Sequence, residues 1–462
     1  MNKYDNKFPE QMLEEIYVRI IMNTIISSII YSNKVSGEVL MEKVILHSDG
    51  NCFYASCEMM RDPSLRDVPL VVGGDEEARH GIVLAKNEIA KKYKIVTGEA
   101  LVVARRKCPG VKIIPANYPL YLEYADLLRK LYMDYTDQVE AFGLDECWLD
   151  VTHSLHLFGK SKTGEERVAT GKHIADTIRK RVWDELKLTV SVGVSYNKIF
   201  AKLGSDMMKP DATTVITKDD FKQKIWPLPV QDLLYVGSAT KEKLRKSNIR
   251  SIGQLARMNP AILHGLFGKW GYVLWIFANG EDPAGVAKFD AMPVVKSVGN
   301  SSTTPHDLRT EQDIKITLYL MAESVAARLR QYGYKTRTVQ ICVRGNDLSW
   351  YQRQAPLPYA CQDSNELFKA AWSLYKTNRS RTPVRTLGVR ASNLTEDRVT
   401  QMSLLPDVAT IQRHEQAERA IDGLRKRYGN FTVRRAVMLN DKRLAGINPL
   451  EDHVIHPVSY FK

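Results

Sequence analysis

The residues best suited to chemistry are two adjacent acids, Asp145 and Glu146, within the segment Glu140–Thr152. Residues 138–144 and 147–151 alternate in character, which predicts two strands joined by a tight hairpin. A turn relaxes the alternation of side chains along a strand, so both carboxylates can face one site. Such a pair needs a cation, and Mg²⁺ is the natural candidate. Taken alone, however, a solvated Asp-Glu turn explains the pair better.

The elements around this hairpin alternate between strand and helix. We predict strands at 43–48, 69–73, 81–85 and 189–194, and helices at 51–60, 86–93, 121–135, 172–186 and 197–208. Asp49 directly follows the first strand, so a third carboxylate stands at a strand end. Strands interleaved with crossing helices predict an α+β, palm-like sheet.

Length and charge indicate several domains and a polyanionic partner. A chain of 462 residues exceeds a single core, so about two to four domains are expected. From Lys296 onward there are 26 Lys and Arg residues against 16 Asp and Glu, which is +10 of the total +13. This asymmetry predicts a polyanion-binding module in the C-terminal third, although a generally basic surface is the alternative.

Cysteine usage and hydropathy favour a cytoplasmic protein without a membrane partner. The six cysteines are scattered without zinc-site spacing, which is typical of free thiols in a reducing cytosol. The apolar run Tyr17–Tyr31 is interrupted by Arg19 and Asn23 and is shorter than the ~20 residues that span a bilayer. We interpret residues 1–40 as an extension, with Met41 as the functional start.

Two further segments suggest nucleic-acid contacts. In residues 233–256, Gly237 lies between short helical stretches, as in a helix-hairpin-helix whose backbone N–H groups approach a phosphate. A glycine-capped αα-turn is the alternative. Residues 281–302 look like a linker, followed by a second α+β domain with helices at 314–332 and 364–375 and strands at 338–343, 350–354 and 384–391.

This second domain is rich in arginine. A stripe of arginines on a sheet face tracks a phosphate backbone, although a solvated face would look the same. The arginines are Arg328, Arg330, Arg337, Arg344, Arg379, Arg381, Arg385 and Arg390. We expect four of them to bind DNA: Arg330, Arg337, Arg344 and Arg385.

Several motifs follow one another in a specific order. FYAS follows Asp49, and then come LAKNEIAKK, FGLDECWLD, VGVSYNKIFAKLGSDMMKP, the glycine turn and the basic domain. This set resembles the Y-family translesion DNA polymerases of the bacterial polymerase IV type, over about residues 42–440.

The resemblance implies a multidomain right hand of the α+β class. Its parts would be a ferredoxin-like palm at 41–60 and 118–216, small fingers at 61–117, a helical thumb with the helix-hairpin-helix at 217–290, a linker and α+β little finger at 291–400, and a clamp-binding motif with a C-terminal tail at 401–462.

The resemblance also implies chemistry. Asp49, Asp145, Glu146 and the Gly50 carbonyl match the ligands of two Mg²⁺ ions, which support in-line attack of a primer 3′-OH on a dNTP. The short fingers imply low fidelity and tolerance of damaged templates. Tyr54 matches the steric gate, a ring that excludes the sugar 2′-OH.

At the positions that would contact the nucleotide, the chain agrees with the family pattern only in part. Lys209 matches the basic residue on the triphosphate, with Lys198 and Lys202 as weaker candidates. Glu88 and Lys91 occupy positions where many members carry Tyr and Arg. Lysine keeps the charge for dNTP binding but loses bidentate geometry. Gly143 also replaces the usual Ser before the paired acids.

The implied partners are primer-template DNA, dNTPs and the replication sliding clamp, with the enzyme a monomer. Gln401, Leu404 and Leu405 resemble the bacterial clamp-binding peptide, and Pro406 favours an extended segment. Alternatively, these leucines pack back onto the little finger.

Three other functions remain open at this stage. A nucleotide cyclase shares paired carboxylates but needs no thumb or basic module, so stimulation by primer-template excludes it. A catalytically dead DNA-binding protein would not extend a primer. The chain continues for about 60 residues beyond Gln401, as in the polymerase V catalytic subunit, which would need an accessory partner.

Overall fold

The computed structural model describes residues 42–74, 81–291, 294–396 and 408–448. It comprises two compact units, each made of two chain segments: Met1–Leu65 with Pro119–Ala291, and Arg66–Tyr118 with Met292–Lys462. The N-terminal extension and the clamp-binding motif lie outside the described residues. Among the helices that the structure describes, none is both long and apolar enough to cross a membrane.

The elements follow the chain in this order. The N-terminal half contains β1 (Ile45–Gly50), α1 (Phe53–Arg61), β2 (Leu70–Gly73), β3 (Val83–Lys86), α2 (Glu88–Lys92), α3 (Leu101–Lys107), β4 (Lys112–Pro115), α4 (Tyr118–Met133), β5 (Val139–Ala141), β6 (Glu146–Asp150), α5 (Gly164–Arg181), β7 (Val190–Ser195), α6 (Lys198–Met207) and β8 (Thr213–Val215). The C-terminal half contains α7 (Phe221–Ile225), α8 (Ser238–Lys246), α9 (Ile252–Ala256), α10 (Pro260–Phe267), α11 (Lys269–Ala278), β9 (Ser297–Leu308), α12 (Glu311–Tyr332), β10 (Tyr334–Gly345), β11 (Trp350–Cys361), α13 (Ser364–Thr377), β12 (Val384–Glu396) and α14 (Val408–Tyr428).

The first unit is built on a five-stranded sheet of order β5-β6-β1-β7-β8. Its central strand β1 is buried along its whole length, because helices cover both faces. His47 faces α6, where its Nδ1 lies 2.8 Å from the Ser205 hydroxyl, and Ser48 faces α4, where its hydroxyl lies 2.9 Å from that of Tyr132. The α+β prediction is confirmed.

A glycine in β7 brings α6 unusually close to this sheet. A Cβ on Gly193 would lie 1.9 Å from the Ala201 carbonyl oxygen, so any larger residue would push the helix away. The short distance allows side chains of α6 to reach the end of β1.

Short helices follow the sheet in the same unit. Helices α7 to α11 share a core that includes Leu244, Ile252, Leu263 and Leu274. A capping box fixes the start of α9, because the Ser251 hydroxyl accepts from the Gln254 N–H. The predicted helix-hairpin-helix corresponds to α8 and α9.

The second unit contains two sheets. One is three-stranded, of order β3-β2-β4, and the other is four-stranded and antiparallel, of order β11-β10-β12-β9. Helices α12 and α13 pack against one face of the larger sheet, burying Val339, Ile341 and Val343. Residues of the opposite parity lie on the other, open face.

Two sequence predictions about this unit were wrong. Residues 297–302 belong to β9 rather than to a linker, because the inward positions of β9 are polar and hide its alternation. Asn300 is one of them, and its side chain donates to the Ser324 hydroxyl. The tail after residue 401 contains α14, and Met438 and Leu444 join the core.

Candidate active site

Adjacent strands bring three carboxylates together. Asp49 is the penultimate residue of β1 and pairs across the ladder with Glu146, the first residue of β6. Directly opposed residues of antiparallel strands share one face. Asp145 immediately precedes Glu146, and its carbonyl accepts from the Gly50 N–H (3.0 Å). The backbone bond therefore holds the end of β1 against the hairpin turn.

The predicted hairpin is present and closes tightly. The Phe142 N–H donates to the Glu146 carbonyl (2.8 Å), and Gly143 has a φ of +113°. This backbone conformation is strained for residues with a Cβ. The departure from the family's Ser at Gly143 therefore goes with a turn geometry that suits glycine.

Two lysines neutralise the acids. Lys202 Nζ lies 3.0 Å from Asp49 Oδ2 and 2.8 Å from Glu146 Oε2, and Lys209 Nζ lies 2.8 Å from Asp49 Oδ2. Lys198 instead pairs with Glu140 at 2.6 Å. Of the two weaker sequence candidates, only Lys202 is in contact with the carboxylates.

The electrostatics of the acids differ from one to the next. Burial, together with the charges of Asp49 and Glu146, raises the pKa of Asp145 to about 7. Burial also disfavours ionised Glu146, but contact with His47 and Lys202 outweighs it and lowers the pKa of that carboxyl. Burial alone would lower the pKa of Lys202, whereas the carboxylates raise it. One of the three acids thus holds its proton more strongly than an ordinary carboxyl.

Sequence reasoning missed His47. It is fully buried, its Nε2 lies 3.3 Å from Glu146 Oε2, and its ring packs edge-on against Trp148. The alternation of side chains along a strand could have identified it, because residues 47 and 49 of β1 share one face.

The donor set fits a divalent metal. Ligand atoms of His47, Asp49 and Glu146 lie within 4.8 Å of one another. Asp145 lies outside that group but interacts electrostatically with both acids. Several carboxylate oxygens around one point are the ligands that hard divalent cations prefer.

Tyr54 lies on α1, one turn past the end of β1. Its ring stacks on that of Tyr121 from α4, with centroids 4.3 Å apart and planes at 8°. A ring held this way suits the predicted steric gate, and sequence reasoning did not identify Tyr121.

Glu88 and Lys91, which depart from the family pattern, lie in the second unit and contact each other. Lys91 Nζ lies 2.6 Å from Glu88 Oε1, one turn apart on α2. Both side chains are exposed, at 39% and 49%. The positive charge expected at the triphosphate is therefore partly balanced by the residue that replaces the family's tyrosine.

The two glycines of the helix-hairpin-helix region differ in their surroundings. Gly237 caps α8, and a Cβ there would meet nothing within 4 Å, which leaves room for close approach of a phosphate. A Cβ on Gly253 would lie 2.8 Å from Trp226, so packing explains that glycine.

The prediction that the arginines form a stripe on a sheet face is wrong for Arg328 and Arg330. The Arg330 side chain is only 5% exposed and lies on α12, where it pairs with Glu418 (2.7 Å) and Asp422 (2.6 Å) of α14. The Arg328 guanidinium donates to the Gly299 carbonyl and is also buried. Both arginines lie on α12, which corresponds to the helix predicted at 314–332, so neither is on the open sheet face.

Other arginines of the stripe are differently placed. Arg344 and Arg390 are exposed on the open face, and Arg337 and Arg385 are half-buried strand residues beside irregularities in the ladder. Gln401, Leu404 and Leu405 lie outside the described residues.

Known proteins resemble the chain along most of its length. The impB/mucB/samB family model matches residues 48–206, and the model of its C-terminal domain matches residues 295–404. DNA polymerase IV of Acetivibrio thermocellus is 49% identical over 406 residues, covering 87% of this chain and 99% of that protein. DNA polymerase IV of Clostridium acetobutylicum is 34% identical over 405 residues, covering 86% and 99%. A solved Y-family DNA polymerase chimera shares the fold, with a TM-score of 0.66, 22% identity, and coverage of 76% and 99%.

Proposed function

Because the chain belongs to the impB/mucB/samB family, the Y-family DNA polymerases of the polymerase IV type, we propose that it copies damaged DNA by adding deoxynucleotides to a primer 3′-OH. The observation that carries this proposal is the set of three carboxylates at one end of two paired strands. The set supports metal-dependent nucleotidyl transfer rather than a binding role alone.

Two Mg²⁺ ions would be held by Asp49, Asp145, Glu146 and the Gly50 carbonyl. When bound, these ions lower the pKa of the primer hydroxyl and stabilise the leaving pyrophosphate. The chain itself does little covalent work, since positioning and charge neutralisation dominate phosphoryl transfer. A bound cation would offset the negative charges of Asp49 and Glu146 and thereby favour the ionised form of Asp145.

Other side chains select and orient the nucleotide. Lys209 stands beside Asp49 with 29% of its side chain exposed, so it can turn to a triphosphate. The Tyr54 ring excludes ribonucleotides by volume. Arg344 and Arg390 offer positive charge to the phosphate backbone without reading sequence.

We also propose that the enzyme works as a monomer and that Gln401, Leu404 and Leu405 tether it to the replication sliding clamp. The names of the relatives support a polymerase IV type, which extends primers alone, over a polymerase V subunit.

The decisive experiment is primer extension by the purified chain in Mg²⁺, on undamaged and lesion-containing templates. Asp145→Ala or Glu146→Ala should lower the incorporation rate by at least about 100-fold, because charge neutralisation in the transition state is lost. Affinity for primer-template should stay nearly unchanged, since distant phosphate contacts supply it.

A matched control is Asp176→Asn, which removes a carboxylate that pairs with Lys172 on the outer helix α5. It should extend primers like the parent. Parental extension by either active-site variant would contradict the assignment of the acids, and no extension by the parent would contradict polymerase activity without a partner.

A further inference from the structure

The Tyr54 ring stacks on the ring of a second tyrosine, Tyr121. Tyr121 is fully buried, stacks on Tyr54, and donates from its hydroxyl to Glu58 Oε1 (2.8 Å). Tyr54 and Glu58 are four residues apart on α1 and therefore share one face of that helix. Tyr121 comes from α4, so it contacts one helix at two points, with its ring face and with its hydroxyl.

Glu58 is a carboxylate in a fully buried position. Its side chain is 0% exposed, and its second carboxylate oxygen, Oε2, lies 3.0 Å from Arg61 Nη2. Burying a carboxylate is unfavourable unless it is paired and hydrogen-bonded. Glu58 combines both partners: Arg61 balances its charge, and Tyr121 satisfies one oxygen. The arrangement fixes the hydroxyl of a fully buried ring.

We propose that Tyr121, oriented by Glu58, is a positioning residue that holds the Tyr54 ring in place and thereby determines how strongly the enzyme rejects ribonucleotides. This inference rests on the proposed role of Tyr54 as the steric gate.

The physical reason is that a ring excludes a hydroxyl only while it stays in place. A tyrosine side chain can leave a clash by rotating about χ1 or χ2 at modest energetic cost. The stacked ring of Tyr121 blocks one face of Tyr54, and the bond to Glu58 keeps Tyr121 from moving with it. Discrimination then depends on the pair of rings rather than on the volume of Tyr54 alone.

The test is the ratio of kcat/KM for a dNTP to that for the matching rNTP. Tyr54→Ala should lower this ratio strongly, and Tyr121→Leu, which removes both attachments, should lower it by at least about ten-fold. Tyr121→Phe and Glu58→Gln keep the stack but weaken its anchor, so each should lower the ratio about three-fold. Tyr132→Phe, a buried tyrosine of the same helix that bonds to Ser48, should leave it unchanged.

Coupling distinguishes positioning from general stability. Because Tyr121 acts through Tyr54, adding Tyr121→Leu to Tyr54→Ala should not change the ratio further. A merely structural role would lower kcat/KM for both nucleotides in parallel and leave the ratio as in the parent.

The outcomes separate this inference from the function on which it rests. If Tyr54→Ala lowers the ratio but the Tyr121 and Glu58 variants do not, the positioning role is wrong and the gate stands. If Tyr54→Ala leaves the ratio unchanged, Tyr54 is not the steric gate and this inference fails with it. The proposal that the chain is a polymerase still stands. If Tyr121→Leu does not fold, Tyr121→Phe and Glu58→Gln decide, and parental ratios in both overturn the proposal.

Discussion

Lys202 and Lys209 give the carboxylate cluster positive partners within the protein itself. Lys202 contacts two acids, and only 12% of its side chain is exposed, so the charges meet in a poorly solvated environment. Asp206 contacts both lysines, at 3.3 Å and 2.7 Å, and limits the excess positive charge. The lysines therefore balance the negative charge of the acids before any ion or nucleotide binds.

This compensation leads to a prediction about metal removal. A chelator should barely change the melting temperature of the parent, whereas Lys202→Met should lose about 3 kcal/mol of unfolding free energy without metal. Added Mg²⁺ should restore part of that loss, because it supplies the missing charge. Thermal melts with EDTA and with Mg²⁺ measure both effects.

The control is Lys172→Met, which breaks an exposed pair with Asp176 and should cost less than about 1 kcal/mol in either condition. A Lys202 variant whose melting temperature equals that of the parent in EDTA would show that the acids need no internal cation.

Residue types and spacing pointed to the acids, and the family resemblance pointed to Tyr54 and Lys209, but neither identified the residues His47 and Tyr121 that contact Glu146 and Tyr54. His47 and Tyr121 carry no motif of their own. Their roles depend on which faces of β1 and α4 turn toward the site, and packing decides that. Gly143 illustrates the converse: its departure from the family pattern was visible, but only the positive φ explains it.

At the scale of elements, a series of ion pairs joins the described side chains of α14 to α12 and β10. Arg330 pairs with Glu418 and Asp422, Lys335 pairs with Glu415 at 3.1 Å, and Arg425 pairs with Glu323 at 2.9 Å. A packed helix is usually recognised in a sequence by a stripe of apolar residues, and charged residues make these contacts instead. That is why the segment after residue 401 looked like a tail, and β9 was missed for a related reason.

The placement of Arg330 makes a prediction that separates stability from DNA binding. Arg330→Met should lower the unfolding free energy by about 3 kcal/mol, because it removes the nearest cation from buried Glu418 and half-buried Asp422 and leaves only Arg435, at 3.5 Å, beside Glu418. At a temperature where the variant is folded, its affinity for primer-template should equal that of the parent. Thermal melts and fluorescence anisotropy measure the two quantities.

Arg344→Met is the matched comparison, because Arg344 is exposed on the open face of the larger sheet. It should leave stability within about 0.5 kcal/mol. It should reduce the slope of log K against log salt by about 1, as expected for one lost phosphate contact. A folded Arg330 variant that weakens DNA binding in the same way would restore the original assignment of that residue.

At the scale of the whole molecule, the α+β class and the family were predictable because several motifs occur in a fixed order along the chain. The resemblance already implied that residues 41–60 and 118–216 belong together, but no feature of the sequence predicted that Arg66–Tyr118 and Met292–Lys462 form one compact unit. The excess of basic residues in the C-terminal third did not indicate which arginines are buried, as Arg330 shows.

The proposed clamp tether gives a prediction at the scale of the whole molecule. Alanine at Gln401, Leu404 and Leu405 together should leave extension without the clamp intact and abolish stimulation by the clamp. A tether raises the effective concentration of enzyme at the primer end without altering the active site. A variant that carries residues 401–405 in another order controls for their composition. Clamp stimulation of the alanine variant equal to that of the parent would place the tether elsewhere.

The long sequence separations within the first unit also affect how the enzyme is made. Glu58 and its partner Tyr121 are 63 positions apart, and Asp49 and its partner Lys202 are 153 positions apart. Ribosomes add about 5–20 residues per second, so Asp49 waits roughly 8–30 s for its lysine to be synthesised. Residues 66–118, which belong to the other unit, emerge during that interval. Until α6 is complete, Asp49 lacks its lysine partner, and the first unit reaches its final form only after residues 66–118 have been translated.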